Sequence, residues 1–275
     1  MALVSEREII AATTAPATRT SLTADLRALG VAAGDVLVVH TSMSALGWVV
    51  GGAQTVVDAL LDAVGPEGTL TMPAHSSDRS EPSRWSNPPV PEEWWPVIRD
   101  HVPAFHPALT PMHAMGAAAE VLLRHPGTLR SAHPNVSHMA IGPQARTVTD
   151  HHPFDRGMGD ESPLGRLYEL DAKVLLLGVG HANNTSLHLA EHRADWPSKR
   201  FVRQGSAVLV DGQRCWVEYD ELDGDTDDFE ALGAAFAATG LETVGPVGNA
   251  GGQARLMPMR ALVDFATMWF PTHRA

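Results

Sequence analysis

The chain has 275 residues, 44% of them hydrophobic, so it can bury a full core, and the length suits one large α/β domain or two smaller ones. Its formal charge is −12, from 20 Lys and Arg against 32 Asp and Glu. That balance argues against nucleic acid, whose binding needs clustered basic residues to displace counterions, and it is compatible with a cationic partner. The single cysteine, Cys215, can form neither an intramolecular disulfide nor a thiolate metal cage, and in QRCWVEY it reads as a small core residue of a strand.

The opening MALVSEREIIAATT has no basic segment leading into a long apolar run. No stretch approaches the ~20 apolar residues of a membrane span, so the expectation is a cytoplasmic protein with no membrane partner. Residues 1–20 are Ala- and Thr-rich and predict a short helix or loose arm. Leucines at 22, 26 and 29 predict a helix stopped by Gly30. Asp35–His40 is a short β-branched run, a buried strand, followed by the loop Thr41–Gly47. Apolar residues at 56, 57, 60, 61 and 64 predict an amphipathic helix from Gly52, and Gly68–Pro73 the next strand. This βαβ order favours a parallel sheet with helices on its faces.

Residues 76–112 interrupt the alternation with a segment rich in Pro, Trp and charge. It is far longer than a usual connection of about 4–6 residues. Trp85, Trp94 and Trp95 beside acids suggest an ordered lid or substrate wall as readily as a surface excursion. Beyond it, Gly116–Leu123 predicts a helix. Ser131–Gly142 reads as a turn into a strand, and Ser162 caps a short helix whose first residue is Pro163. Lys173–Gly178 predicts a buried strand, Gln213–Tyr219 a strand, 226–238 a helix, and Met259–Phe270 a closing amphipathic helix. The organisation expected is one α/β domain over 1–275, with 1–20 an arm and 76–112 an insertion.

The densest chemistry lies in Lys173–Asp195, KVLLLGVGHANNTSLHLAEHRAD, a strand, a tight loop and the first turns of a helix. In open α/β sheets ligands bind outside the C-terminal ends of strands. His188-x-x-Glu191-His192 matches the inverted zinc-protease pattern H-x-x-E-H. His188 and His192, four apart, could share a metal, with Glu191 the base on its water, but no compact third ligand motif follows. There is no G-x-S-x-G elbow, no G-x-x-x-x-G-K-[ST] loop, and no G-x-G-x-x-G after the first strand. The remaining reading is base-catalysed acyl transfer. His188 would be the base and Glu191, one turn on, would hold the imidazole in one tautomer. His40, at the end of the first strand, would join them if its strand end adjoins Lys173–Gly178. Thr41, Ser42 and Ser44 supply hydroxyls beside it, in a loop whose backbone N–H groups suit phosphates.

The segments VVHTSMSALGWVVGGAQTVVDALLDAVGPEGTLTMPAHS, WSNPPVPEEWWPVIRDHVPAFHPALTPMHAMGAAAE, RSAHPNVSHMAIGPQA and FDRGMGDESPLGRLYELDAKVLLLGVGHANNTSLHLAEHRA, over most of residues 25–195, resemble the aminoglycoside 3-N-acetyltransferase (antibiotic N-acetyltransferase) family. The resemblance implies an α/β/α fold unrelated to the GCN5-type acetyltransferases, with a mixed or mostly parallel sheet. It implies an enzyme that moves the acetyl group of acetyl-CoA to the 3-amino group of a 2-deoxystreptamine aminoglycoside, with no metal. It assigns His188 and Glu191 to the active site with His40 close by, and lays Thr41 and Ser42 along the CoA pyrophosphate. The cofactor is then expected along Ser42, Ser44, Leu46 and Gly47, with Ser131 and the helix start at Ser162. The acids acquire a use against a polycationic antibiotic. Asp78 is the first candidate, with Glu93, Asp155, Glu221 and Asp223; His181 and Asn184 are secondary. His192 becomes a bystander, and the assembly expected is a monomer or homodimer. Alternatives retained are an acetyltransferase for a different amine metabolite and an H-x-x-E-H zinc hydrolase.

Overall fold

The computed structural model describes residues 5–275. A helix α1 (Glu6–Ala12) precedes α2 (Arg19–Leu29), whose Leu22, Leu26 and Leu29 are buried at helical spacing. Thr18 caps its N-terminus, and Gly30 ends it at φ 113°. Then come β1 (Val36–Thr41), α3 (Gly52–Val64) and β2 (Thr69–Pro73). The excursion holds only short turns and α4 (Trp95–His101), and α5 (Ala117–Arg124) follows. Two short strands, β3 (Leu129–Arg130) and β4 (His138–Ile141), lead to α6 (Ala145–Thr149) and α7 (Pro163–Glu169). Ser162 Oγ accepts the Leu164 N–H at 3.1 Å, the predicted N-cap. After β5 (Lys173–Leu177) and α8 (Ser186–Arg193) come the strands β6 (Phe201–Val210) and β7 (Gln213–Leu222). The chain closes with α9 (Phe229–Ala237), β8 (Thr243–Pro246), β9 (Gln253–Pro258) and α10 (Met259–His273).

Seven strands form one sheet in the order β3-β4-β2-β1-β5-β9-β8. Its centre, β2-β1-β5, is parallel, and the flanking pairs are antiparallel. The central strands are buried on both faces, which explains their unbroken apolar runs. Leu37, Val39, Leu175 and Leu177 pack on one face with α2, α3 and α5. Val38, Val174 and Leu176 pack on the other with α7 to α10. Each fully buried Leu or Val contributes about 1.5–3 kcal/mol. The chain leaves β1 by a helix on one face to reach β2. It returns to the other side of β1, as β5, through α7 on the opposite face. The two crossovers diverge between β1 and β5, so a crevice opens at their C-terminal ends.

β6 and β7 form a separate antiparallel hairpin in full ten-residue register. Only its second strand was legible from the sequence. Residues 76–112 do not hang free but pack on it. Phe105 N–H donates to Ala207 O at 2.8 Å, and Arg214 Nε donates to Val102 O at 2.8 Å. The tryptophans form no common wall: Trp94 is exposed, while Trp85 Nε1 donates to Ser80 Oγ.

Arg130 ties the excursion to the sheet. Its guanidinium donates to Ala74 O, Ser76 Oγ and Thr110 O, each at 2.6 Å, and to Ser137 Oγ at 2.9 Å. No carboxylate pairs with it among the described residues, and burial pushes its pKa down to about 10. Removing it leaves several buried acceptors unpaired. Arg130→Ala is expected to lower stability by about 3 kcal/mol or more. Arg130→Lys, without the planar fork, should recover only part of that loss. Equilibrium urea unfolding measures both.

Candidate active site

The crevice is built by sheet register. β1 and β5 run parallel with His40 opposite Leu176 and Thr41 opposite Leu177, which brings the β1 end beside the start of the loop to α8. Gly178 makes the approach possible. It sits at φ 74°, and a Cβ there would come within 2.5 Å of Ala45 Cβ, so a side chain would part the two loops. The resulting cleft of about 290 Å³ is lined by His40 and Thr41 from β1, by His75 after β2, and by Thr185 and His188 from α8 and its approach. Met115 and Gly116, before α5, form a further wall.

His188 Nδ1 lies 2.5 Å from Glu191 Oε2, one helical turn on. Glu191 is fully buried, and its other oxygen accepts from Arg274 Nη1 at 2.5 Å. A carboxylate on Nδ1 favours the tautomer in which Nδ1 donates and Nε2 carries the lone pair. Among the described residues the hydrogen bond of this ring is the one made at Nδ1. The ring lies 5.1 Å from that of Phe229, which limits its tilt. The arrangement is therefore an oriented imidazole at the cleft, held through Nδ1 by a buried carboxylate.

His40 Nε2 is 3.3 Å from Thr185 Oγ1. Thr185 precedes α8 in helical geometry and caps nothing, which leaves its hydroxyl to His40. Burial, reinforced by the nearby His138 and His188, pushes the His40 pKa down to about 3, so this imidazole is neutral at ordinary pH. His75 is likewise held well below its usual range, by burial first. Neither His75 nor Thr185 stood out in the sequence. Thr185 lies three residues before His188, where a hydroxyl reads as an ordinary cap.

The other anticipated residues divide sharply. Ser42 and Ser44 face each other at 3.2 Å on the loop beyond His40, whereas Leu46 is buried in the core and Gly47 packs against Thr13 and Ala250. Ser131 Oγ meets His152 Nδ1 at 2.9 Å, and Ser162 is buried as a helix cap. Both serve local structure outside the cleft lining. His181 turns away from the cleft, with Nε2 2.9 Å from Glu242 Oε1, and packs on Gly233. Asn184 is buried and caps the Ser186 N–H. Among the acids, Asp78 and Glu93 are exposed on the excursion. Asp155 accepts the Asp220 N–H, Glu221 accepts the Gly157 N–H, and Asp223 pairs with Arg84 and Arg200. None of the five lines the cleft.

His188 and His192 do not converge. His192 Nε2 stands 3.2 Å from Glu221 Oε1 in a geometry too poor for a hydrogen bond, and its ring approaches Phe201. Among the described residues no three His, Cys, Asp or Glu side chains are grouped as metal ligands.

A carboxylate-oriented histidine at the parallel-strand crevice of an α/β sheet is an arrangement that suits base catalysis. The family model described as aminoglycoside 3-N-acetyltransferase matches residues 38–271, and the chain belongs to that family of transferases. It is 43% identical to the SPbeta prophage-derived aminoglycoside N(3')-acetyltransferase-like protein YokD of Bacillus subtilis, over 96% of each chain. It is 39% identical to aminoglycoside N(3)-acetyltransferase VII of Streptomyces paromomycinus, over 92% of this chain and 91% of that one. The crystal structure of YokD superimposes with a TM-score of 0.93 at 41% identity, over 97% of this chain and 98% of that one. AAC-IIIb, solved as a binary complex with CoASH, gives 0.84 at 36% identity over 94% and 97%. AAC-VIa bound to sisomicin gives 0.84 at 32% identity over 95% and 100%. No helix among the described residues is long and apolar enough to cross a membrane.

Proposed function

We propose that the protein transfers the acetyl group of acetyl-CoA directly to an amine of an aminoglycoside, with His188 as general base. The observation that carries this is the His188–Glu191 pair, 2.5 Å apart, with the carboxylate buried and the imidazole lining the cleft. Membership of the acetyltransferase family supplies the reaction class, and a relative solved with CoASH supplies the donor chemistry.

The amine nitrogen attacks the thioester carbonyl carbon while its proton passes to His188 Nε2. Glu191 stabilises the imidazolium that forms. The tetrahedral intermediate collapses with cleavage of the C–S bond, and the proton leaves with the thiolate as CoASH. His40, held neutral by burial, adds no charge to the site. Thr41, Asn183 and Thr185 are polar residues that line the cleft with His188. The single cysteine, Cys215, lies on the β7 hairpin strand and outside the cleft lining, so no acyl-enzyme is invoked.

A second reading keeps the reaction and changes the acceptor to another amine metabolite. Two observations favour it: the Bacillus subtilis relative that matches over 96% of each chain is named only as acetyltransferase-like, and the cleft lining carries no carboxylate to meet a polycation. CoA release from acetyl-CoA, measured across aminoglycosides and simpler di- and polyamines, separates the two. Turnover with 2-deoxystreptamine aminoglycosides, acetylated at the 3-amino group, supports the first. Saturable turnover with simple amines alone supports the second. Absence of CoA release with every amine, in protein that binds CoA, would overturn both.

A further inference from the structure

Glu191 is held from two sides, and the second holder lies just beyond the residues that the family model matches. Arg274 follows α10, three positions beyond the residue where the family match ends. Its Nη1 donates to Glu191 Oε1 at 2.5 Å, while Nε and Nη2 grip the two oxygens of Asp228 at 2.7 and 2.6 Å. The guanidinium carbon stands 4.2 Å from the centre of the Phe270 ring and 5.0 Å from that of Trp196. Gly224 closes a third side, since a Cβ there would lie 3.0–3.1 Å from both Glu191 oxygens. Asp228, Arg274, Glu191 and His188 thus form one continuous chain of charge-assisted contacts, with Arg274 only 10% exposed and Glu191 not at all.

We infer that Arg274 is a positioning residue for the transfer reaction, fixing the Glu191 carboxylate so that His188 keeps Nε2 toward the acceptor amine and is not over-stabilised as the imidazolium. This rests on the reading of His188 as the base. A buried carboxylate with a single imidazole partner attracts a proton onto that imidazole, and a second, permanent cation on the opposite oxygen offsets the attraction. The cation is locked because two of its donors are spent on Asp228 and its faces on two aromatic rings. The other charged or titratable groups around the pair are Asp225 on the same approach to α9, His40 from β1, His75 after β2, and Lys199 after α8.

The test uses the whole enzyme with acetyl-CoA and its best amine. Arg274→Ala is expected to lower kcat about tenfold or more, with both KM values changed less than threefold. The acid limb of its kcat/KM–pH profile should move to higher pH by about one unit, because His188 then holds its proton more tightly. Arg274→Lys should return the limb toward the wild-type position without full recovery of kcat, and guanidinium ion in the assay should rescue Arg274→Ala. A folded Arg274→Ala enzyme with wild-type kcat and an unmoved limb would overturn the inference. If that variant does not fold, Arg274→Gln decides, because it keeps an amide donor on a long side chain but removes the charge; a limb shifted to higher pH supports the role, and an unshifted limb refutes it. His188→Ala keeps the two claims apart. An inactive His188→Ala beside an Arg274→Ala indistinguishable from wild type ends this inference alone, whereas a fully active His188→Ala ends the base reading on which it stands.

Discussion

His188→Ala is expected to lose about 10²–10⁴-fold in kcat, the range spanned by a positioned general base, while still binding CoA. Among the described residues, His188 is the cleft-lining imidazole held by a carboxylate. His40 is held neutral by burial and is engaged with Thr185, and His75 is likewise held neutral. Neither has a carboxylate to stabilise a transferred proton. Glu191→Gln keeps the shape and one hydrogen bond but removes the buried charge, and it should cost less than loss of the histidine because Nε2 remains. Steady-state CoA release at saturating acetyl-CoA and amine measures both. A His188→Ala enzyme within a few-fold of wild type would remove the histidine from the role, and a Glu191→Gln enzyme more impaired than His188→Ala would reverse the assigned order.

Mild acid should unfold the protein. His40, His133 and His138 are buried as neutral rings, their pKa values pushed down to about 3, 4 and 4 chiefly by burial. For His133 the cause is also visible in the bonding: Nδ1 accepts the Asn135 and Val136 N–H groups at 3.1 Å each, so it has no lone pair left for a proton. An unfolded histidine titrates near 6.5. Between about pH 6.5 and 4 the unfolded chain therefore binds more protons than the folded one, and stability rises with pH across that window. It is complete above about pH 6.5 and is lost as pH falls. At pH 5 each such histidine costs about 2 kcal/mol, roughly 6 kcal/mol for three. A whole domain is stable by only about 5–15 kcal/mol. Urea unfolding at pH 7, 6 and 5 should show the midpoint falling steeply, and a midpoint unchanged from pH 7 to pH 5 would refute this.

The helices and central strands were legible because each carries its own periodicity. Leu22, Leu26 and Leu29, the Val56–Val64 stripe and the run before His40 need no partner to be recognised. The pairing of His188 with Glu191 was legible for the same reason, since i and i+3 on a helix always share a face. β6 was missed because its alternation is irregular, with Gly205 and Ser206 in the middle of the strand. The places of the acids were not legible in the sequence. Asp155, Glu221 and Asp223 are plausible cation binders by type, but the fold commits them to Asp220 N–H, Gly157 N–H and two arginines. Side-chain chemistry names what a residue can bind, and only its neighbours show whether that capacity is already taken.

Local order and the base-and-acid pair therefore belong to the amino-acid string, since they arise between residues a few positions apart. Three things came from long-range packing. The parallel register set His40 beside the approach to α8, from 145 positions away, and gave its ring to Thr185. The divergence of crossovers between β1 and β5 opened the cleft. The docking of α10 delivered Arg274 to Glu191 across 83 positions. Such contacts leave no periodic trace in the chain, because what selects them is the burial of whole sheet faces and the need of each buried charge for a partner.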